Sequence, residues 1–340
     1  MRPSLKNIAQ ALSLSKAAVS KALNNYPDIS QETKNLVQSY AKKVGYKANS
    51  QASFLRSQKT KTIGVIVPDI TNPFFTKILR AIMSKAHKNN YTIIIGNSKE
   101  SFLLEEKLVN QFLQQKVDGI LMSLANNTSQ YKHLENIITD NTILILFDKV
   151  ARLINCSKVL VDDKGGGFTA TEHLIKKGCT KIAHFRGELN PQNSIDRYLG
   201  YREALSKHKI KYDPNKVLIS KNGSIEEGYI LAKKLYESNI KIDGLFCITD
   251  MVALGAMRFF KEQKIDIPNE ICIIGFSNDI VGSLVYPSLS TIDQNATKIG
   301  NEVMRLFISE EKLKNTEIKL ENKSLVLQTK LLKRESTDIT

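Results

Sequence analysis

From Thr62 onward the chain alternates short apolar runs with longer amphipathic stretches. Thr62–Val67 is a near-continuous apolar run of the kind buried on both faces of a parallel sheet, and a helix is expected from Phe74 to Lys88. Strands are expected next at Tyr91–Gly96, Gly119–Leu124 and Thr142–Phe147, with helices at Phe102–Gln115 and Ser129–Thr139. A second cycle predicts strands at Val159–Val161, Lys181–Phe185, Lys216–Ile219, Gly244–Ile248 and Ile271–Phe276. Its helices fall near Phe168–Lys177, Tyr198–His208, Ile225–Glu237 and Val252–Gln263. Ala296–Ile308 reads as a further helix and Ser324–Leu332 as a late strand. This count predicts two doubly wound α/β lobes, with the chain returning to each: 62–161 plus about 292–323, and 162–291 plus about 324–340.

Residues 1–46 follow a helical period instead. Ser4 is placed to cap a helix over Leu5–Leu12 with Ile8, Ala9 and Leu12 on one side, and Ser13-Leu14 makes a tight break. Ser15 then caps Lys16–Leu23, which would bury Ala18, Val19 and Ala22 against the first helix. That leaves Lys16, Ala17, Ser20 and Lys21 free to enter a major groove, the geometry of a helix-turn-helix. Ser30 caps a third helix with Leu36, Val37, Tyr40, Ala41 and Val44 on its apolar side, ended by Gly45. Residues 47–61 are polar and basic, a hinge linker compatible with one or two helical turns capped by Asn49.

Two capped helices and a short turn also occur in ordinary small bundles, so charge decides the matter. The net charge is +15 over 340 residues, and residues 1–61 hold eleven Lys or Arg against two acids, Asp28 and Glu32. Most of the excess therefore sits on the helical end, the footprint of a polyanion such as duplex DNA. No apolar run is long enough to span a bilayer and the Met1–Lys6 start has no apolar signal core, so a membrane-free, cytoplasmic protein is expected. The four cysteines (156, 179, 247, 272) are far apart in or beside strand-like runs, which predicts buried free thiols and neither disulfides nor a metal site.

Enzyme readings find little. Gly165–Ala170 follows a strand and matches G-x-G-x-x-A with Glu188 about 20 residues on, yet a dinucleotide site here would leave the basic helices unexplained. No P-loop occurs, Gly275–Asp279 lacks the last glycine of a nucleophile elbow, and the histidines show no metal spacing. No cofactor is expected. A sugar-binding transport protein would share the two lobes but not the basic headpiece.

Across almost its whole length the chain resembles the LacI/GalR family of bacterial transcription regulators. The residues that carry the likeness are Leu5–Ala9, Ser15–Asn24, the linker positions Asn49, Ala52 and Leu55, Thr62–Asp69, Val117–Leu121, Asp250–Met257, Ile273–Phe276 and Arg334–Thr337. The resemblance implies a DNA-binding headpiece, a hinge helix that orders on the operator, and a two-lobed effector domain similar to periplasmic sugar-binding proteins. It implies DNA contact by Lys6, Ser15, Lys16, Ala17, Ser20, Lys21, Asn24, Tyr46, Asn49, Ala52, Leu55 and Arg56. Lys16 and Ala17 match the base-reading positions, where lysine could donate to guanine and alanine pack on a thymine methyl; Lys21 would meet phosphate, and Leu55 would wedge into the minor groove.

For the effector cleft the resemblance implies Asp69, Asn72, Phe74, Asp148, Arg197, Asp250, Asn278 and Gln294, near the carboxyl ends of strands. Carboxylates, amides and a guanidinium beside an aromatic ring suit a sugar. Three positions depart from the family: Ser13 stands for a frequent glycine, Ala48 for the usual proline and Ser277 for a common aspartate. The resulting expectation is a homodimeric, cofactor-free repressor of a pseudo-palindromic operator, controlled by a small carbohydrate ligand.

Overall fold

The computed structural model describes residues 3–46, 59–314 and 322–338, and the chain divides between Thr60 and Lys61 into two compact units. In the first unit α1 (Leu5–Ala11), α2 (Lys16–Leu23) and α3 (Gln31–Lys43) surround a small core of Ile8, Ala9, Val19, Ala22, Val37 and Ala41. Each start is capped by a serine whose hydroxyl accepts a backbone N–H: Ser4 from Asn7, Ser15 from Ala18, Ser30 from Thr33. Ala18, expected inside, is half-buried, because only one side of a two-turn helix can face its neighbours. Between α1 and α2, Ser13 takes φ +53°, the left-handed conformation that lets the chain reverse in so few residues.

The second unit holds two six-stranded sheets. The first comprises β1 (Thr62–Val67), β2 (Thr92–Asn97), β3 (Gly119–Met122), β4 (Ile143–Phe147), β5 (Ser157–Val161) and β11 (Ser324–Leu327), in the order β11-β5-β4-β3-β1-β2, all parallel. The second comprises β6 (Ile182–Arg186), β7 (Val217–Ile219), β8 (Gly244–Cys247), β9 (Cys272–Phe276), β10 (Ser290–Asp293) and β12 (Lys330–Leu332), in the order β12-β10-β9-β8-β6-β7. Only β12 runs antiparallel to its neighbour there. Strands β3, β4, β8 and β9 are buried throughout, which accounts for their unbroken apolar sequences.

Helices cover both faces of each sheet. On the first, α4 (Pro73–Lys88) and α11 (Ala296–Leu313) pack Phe74, Ile78, Ile82, Met304 and Phe307 on one side, while α5 (Phe102–Gln114) and α6 (Lys132–Thr139) bury Val109, Phe112, Leu134 and Ile137 on the other. On the second, α9 (Ile225–Glu237) and α10 (Asp250–Glu262) face α7 (Asp163–Lys176) and α8 (Gln192–Lys207) across the strands. The Gly165–Gly167 run lies in the first turn of α7 as a packing device: a Cβ on Gly167 would sit 2.3 Å from the Arg197 carbonyl oxygen. That close approach of α7 to α8 explains the glycines without a nucleotide.

The chain crosses between sheets three times, at Val161–Asp163, Asp293–Ala296 and Leu327–Lys330. The lobe boundaries expected near 292 and 324 are corrected accordingly. β10 stays in the second sheet through Asp293, and Ser324–Leu327 pairs with β5 in the first. The late strand is thus two strands on different sheets, a split that one apolar run of Leu and Val could not reveal.

At the carboxyl ends of β9 and β10, Asp250 is fully buried, accepting the Thr291 hydroxyl at 2.6 Å and the Asp279 amide at 2.7 Å. Burial pushes its carboxyl up to about 7. The folded protein therefore holds a proton there that the unfolded chain releases near pH 4, and stability falls as pH rises from about 4 to about 7. Thermal melts across that interval should show the decline, and Asp250→Asn should make it shallower without abolishing it, because the buried Asp163 carboxyl is also raised to about 7; an unaltered slope in the variant would contradict the assignment. Ser13→Gly should stabilise the first unit by about 1 kcal/mol, read as a higher denaturation midpoint of its helices.

Candidate functional site: an interlobe cleft and an exposed helix face

The carboxyl ends of both sheets face one another across a cleft of about 710 Å³, its open mouth included. From the first lobe come Asn72, which caps α4, Phe74 in its first turn, Glu100, Asn126 and, just past β4, Asp148 and Lys149. From the second come Asn193, Ser194 and Arg197 on α8, the Ser220–Gly223 loop after β7, Ile248 and Thr249 after β8, Ser277 after β9 and Gln294 after β10.

Arg197 anchors the second side. Its Nε donates to Asp163 Oδ1 at 2.8 Å, one terminal nitrogen donates to the Ile248 carbonyl at 2.9 Å, and the guanidinium lies 3.8 Å from the Phe276 ring centroid. Burial raises the Asp163 carboxyl to about 7 against the opposing pull of that guanidinium. Asp148 is also buried, which pushes its carboxyl above the usual range, with Lys149 and Arg197 pulling the other way. Its oxygens accept from Ser123 Oγ at 3.4 Å and, across the cleft, from Asn193 Nδ2 at 3.3 Å. Lys149 is held by Glu100 at 2.7 Å and by Asn126 Oδ1 at 2.7 Å.

Two buried groups in this cleft have no hydrogen-bond partner among the described residues: Gln294 Nε2 and Ser194 Oγ. Ser277 donates its hydroxyl to Gln294 Oε1 at 3.0 Å, which turns the amide nitrogen away from it. Ser277 is also strained, with φ +121°, and Asp148 beside the cleft has φ +57°. Buried donors are ordinarily satisfied, so such groups at strand ends mark places where a ligand would supply the partner. Other bonds tie the lobes at the cleft's rim. Asn190 Nδ2 reaches the Thr128 carbonyl at 3.0 Å, Arg152 pairs with Asp196 at 3.0 Å, and Lys77 donates to the Asn278 carbonyl.

Of the eight positions implied for the cleft, Asn72, Phe74, Asp148, Arg197 and Gln294 line it, and Asp69, Asp250 and Asn278 do not. Asp69 closes a turn by accepting the Thr71 amide at 2.8 Å and hydroxyl at 2.7 Å. Asp250 is spent on Thr291 and Asp279, and Asn278 on Asp293 and Arg334. In each of the three a nearer backbone or side-chain partner engages polar atoms of the side chain. Asn126, Asn193, Ser194 and the 220–223 loop also line the cleft beyond the carboxyl ends of β3, β6 and β7, and of these three strand ends only that of β6, through Arg197, is represented among the expected residues.

In the first unit Lys16, Ala17 and Lys21 are exposed on one side of α2, with Ser20 half-buried beside them. Lys21 forms an ion pair with Asp28, both half-exposed, so the cation expected on phosphate has a neighbour to leave. Ser15 serves as cap, Asn24 Nδ2 closes the end of α2 on the Ser20 carbonyl at 2.7 Å, Lys6 is exposed on α1, and Tyr46 packs against the small core. Asn49, Ala52, Leu55 and Arg56 lie outside the described residues. Among the described residues no group of His, Cys, Asp or Glu has the arrangement of a metal site, and no helix is long and apolar enough to cross a membrane.

Comparison with known proteins agrees with both halves. Residues 4–49 match the lacI family of bacterial regulatory proteins, and residues 171–337 match a periplasmic binding protein-like domain. The transcriptional regulator RegA of Clostridium saccharobutylicum is 30% identical over 99% of this chain and 100% of its own. The ribose operon repressor of Halalkalibacterium halodurans is 31% identical over 98% of this chain and 96% of its own. Among solved structures, the lac repressor dimer bound to operator and an anti-inducer superposes with a TM-score of 0.87 over 99% of each chain at 19% identity, a likeness of fold. A regulator from Enterococcus faecium with bound ribose gives 0.70 at 27% identity, over 81% of this chain and 98% of that one. A capped, basic helix-turn-helix followed by two lobes around a polar cleft is therefore what it resembles: the chain belongs to the LacI family of bacterial regulatory proteins, DNA-binding transcriptional regulators and not enzymes.

Proposed function

We propose that this regulator is a homodimeric repressor that places one headpiece in each half of a pseudo-palindromic operator and takes a neutral sugar between its lobes as effector. The observation that carries the ligand reading is the pair of buried, unpartnered donors, Gln294 Nε2 and Ser194 Oγ, facing the same cleft as the Asp148 carboxylate. Vicinal hydroxyls can accept from the first two and donate to the third. Two of the cleft's three cations already have carboxylate partners, Arg197 with Asp163 and Lys149 with Glu100, and the third, Lys221, shares the lining with the carboxyl groups of Asp148 and Glu188, so an uncharged polyol fits the charge balance better than a phosphorylated one. Phe74 offers an aromatic surface for the apolar face of a sugar ring. Ribose is the first candidate, since one relative is named for the ribose operon and another was solved with ribose bound.

Because groups from both lobes line the cleft, a bound sugar favours the closed arrangement of the lobes, and operator affinity shifts by the differential binding energy. An apolar surface on the second lobe supports pairing of two copies. Met257 and Val281 line a hollow there with Tyr286, and Leu284 and Tyr286 are 76% and 77% exposed.

On these grounds ribose should raise the melting temperature of the full chain in proportion to occupancy. Ser194→Ala, which removes a hydroxyl that has no partner in the described structure, should weaken binding roughly tenfold, for a lost hydrogen bond of about 1.4 kcal/mol, while hardly moving the melting temperature without ligand. A saccharide panel that gives no shift, where nucleobases do, would refute the sugar assignment. On DNA, Lys16→Ala should alter which base is preferred at one half-site position, whereas a uniform loss over all half-site variants would make Lys16 a phosphate contact. Asp28→Asn should release Lys21, tightening binding and steepening the log–log salt slope by about one. If affinity and slope both stay unchanged, Lys21 does not reach the backbone.

A further inference from the structure

Two of the four cysteines meet at the end of the second sheet remote from the cleft. Cys272 opens β9 and lies opposite Gly244 of β8, while Cys179 follows the Gly178 turn (φ +95°) that ends α7. Both converge on one atom: the Asp243 carbonyl oxygen accepts the Cys272 amide at 3.0 Å and the Cys179 thiol at 3.2 Å. Gly244 makes room for this meeting, since a Cβ there would lie 3.1 Å from Cys179 Cβ and 3.2 Å from its sulfur. The turn is pinned by the Asp243 carboxylate, which accepts the Thr180 amide at 3.0 Å and the Lys181 amide at 2.7 Å. Both cysteines are buried in the same apolar cluster, where the Cys272 thiol donates to the Pro268 carbonyl at 3.7 Å. Cys156 belongs to the first lobe and Cys247 to the opposite end of β8.

We propose that Cys179 and Cys272 are a modification site for hydroperoxides, closing to a disulfide in the folded protein. One thiolate attacks a peroxide oxygen, breaking the O–O bond and giving a sulfenic acid and, from H2O2, one water. The second thiol attacks the sulfenic sulfur and expels the hydroxyl as a second water. Two electrons pass from the pair of sulfurs to the peroxide, and two thiols plus H2O2 become one disulfide plus two waters. The pair is buried, but Cys179 lies one residue from the exposed Thr180, in a turn that a small uncharged oxidant reaches by local opening.

The bond would fasten together the far ends of the two elements on which Arg197 rests. α7 begins at Asp163 and ends three residues before Cys179, and β9 runs from Cys272 to Phe276. Oxidation constrains the unfolded chain across a long loop, so it should stabilise the second lobe.

The full chain, treated with a slight excess of hydrogen peroxide and then denatured, should show two free thiols in place of four, and a mass lower by two hydrogens. Peptide mapping should join Cys179 to Cys272, and the melting temperature should rise and return to its starting value with dithiothreitol. Cys179→Ser and Cys272→Ser, with alanine versions where serine impairs folding, should each abolish both the cross-link and the thermal shift. Four free thiols after treatment, a cross-link between other cysteines, or sulfinic and sulfonic products in place of the bond would each overturn the proposal.

Discussion

The buried guanidinium of Arg197 ties the second lobe's strand ends to its wall of the cleft. It bonds Asp163 at the first crossover between sheets, the carbonyl of Ile248 beyond β8, and the ring of Phe276 at the end of β9. Removing one partner of such a buried pair typically costs 3–5 kcal/mol, because the other charge is left without compensation. The glycine run at the start of α7 serves the same contact by letting the helix backbone reach the carbonyl of Arg197 itself. Strand ends, crossover and cleft wall are thereby positioned by a single side chain.

From that anchor the cleft divides its labour. Lys149 and Glu100 satisfy each other on the first lobe, as Arg197 and Asp163 do on the second, so these two pairs shape the walls. Beside them the buried hydrogen-bonding groups include the amide nitrogen of Gln294, the hydroxyl of Ser194 and the carboxyl group of Asp148. The strained backbone at Ser277 and at Asp148 lies next to them, which is where a fold retains conformations that cost energy when function needs them. Bonds that already span the rim, from Asn190, Arg152 and Lys77, give the lobes a closed arrangement for a ligand to reinforce.

The headpiece works on a smaller scale. Its core is six small or medium apolar side chains, so serine caps and short turns contribute a larger share of its stability than they would in the lobes. Ser13 in a left-handed turn is a cost within that small sum. Asp28 against Lys21 is a second local feature, an ion pair that satisfies a cation on the exposed side of α2.

Periodicity, capping residues and the crowding of cations into residues 1–61 determined, without coordinates, a helix-turn-helix followed by two α/β lobes. These are local properties, written in neighbouring residues and in the period of burial. The partners of polar side chains are not local. Asp250, Asn278 and Asp69 have the chemistry of ligand contacts, and only the folded chain shows that Thr291, Arg334 and Thr71 occupy them. Likewise Ser324–Leu327 carries no mark of which sheet it joins, because a parallel strand is equally apolar in either. The convergence of Cys179 and Cys272 on one carbonyl is a further product of tertiary structure, since residues so distant along the chain are brought together by strand order, which no local pattern encodes.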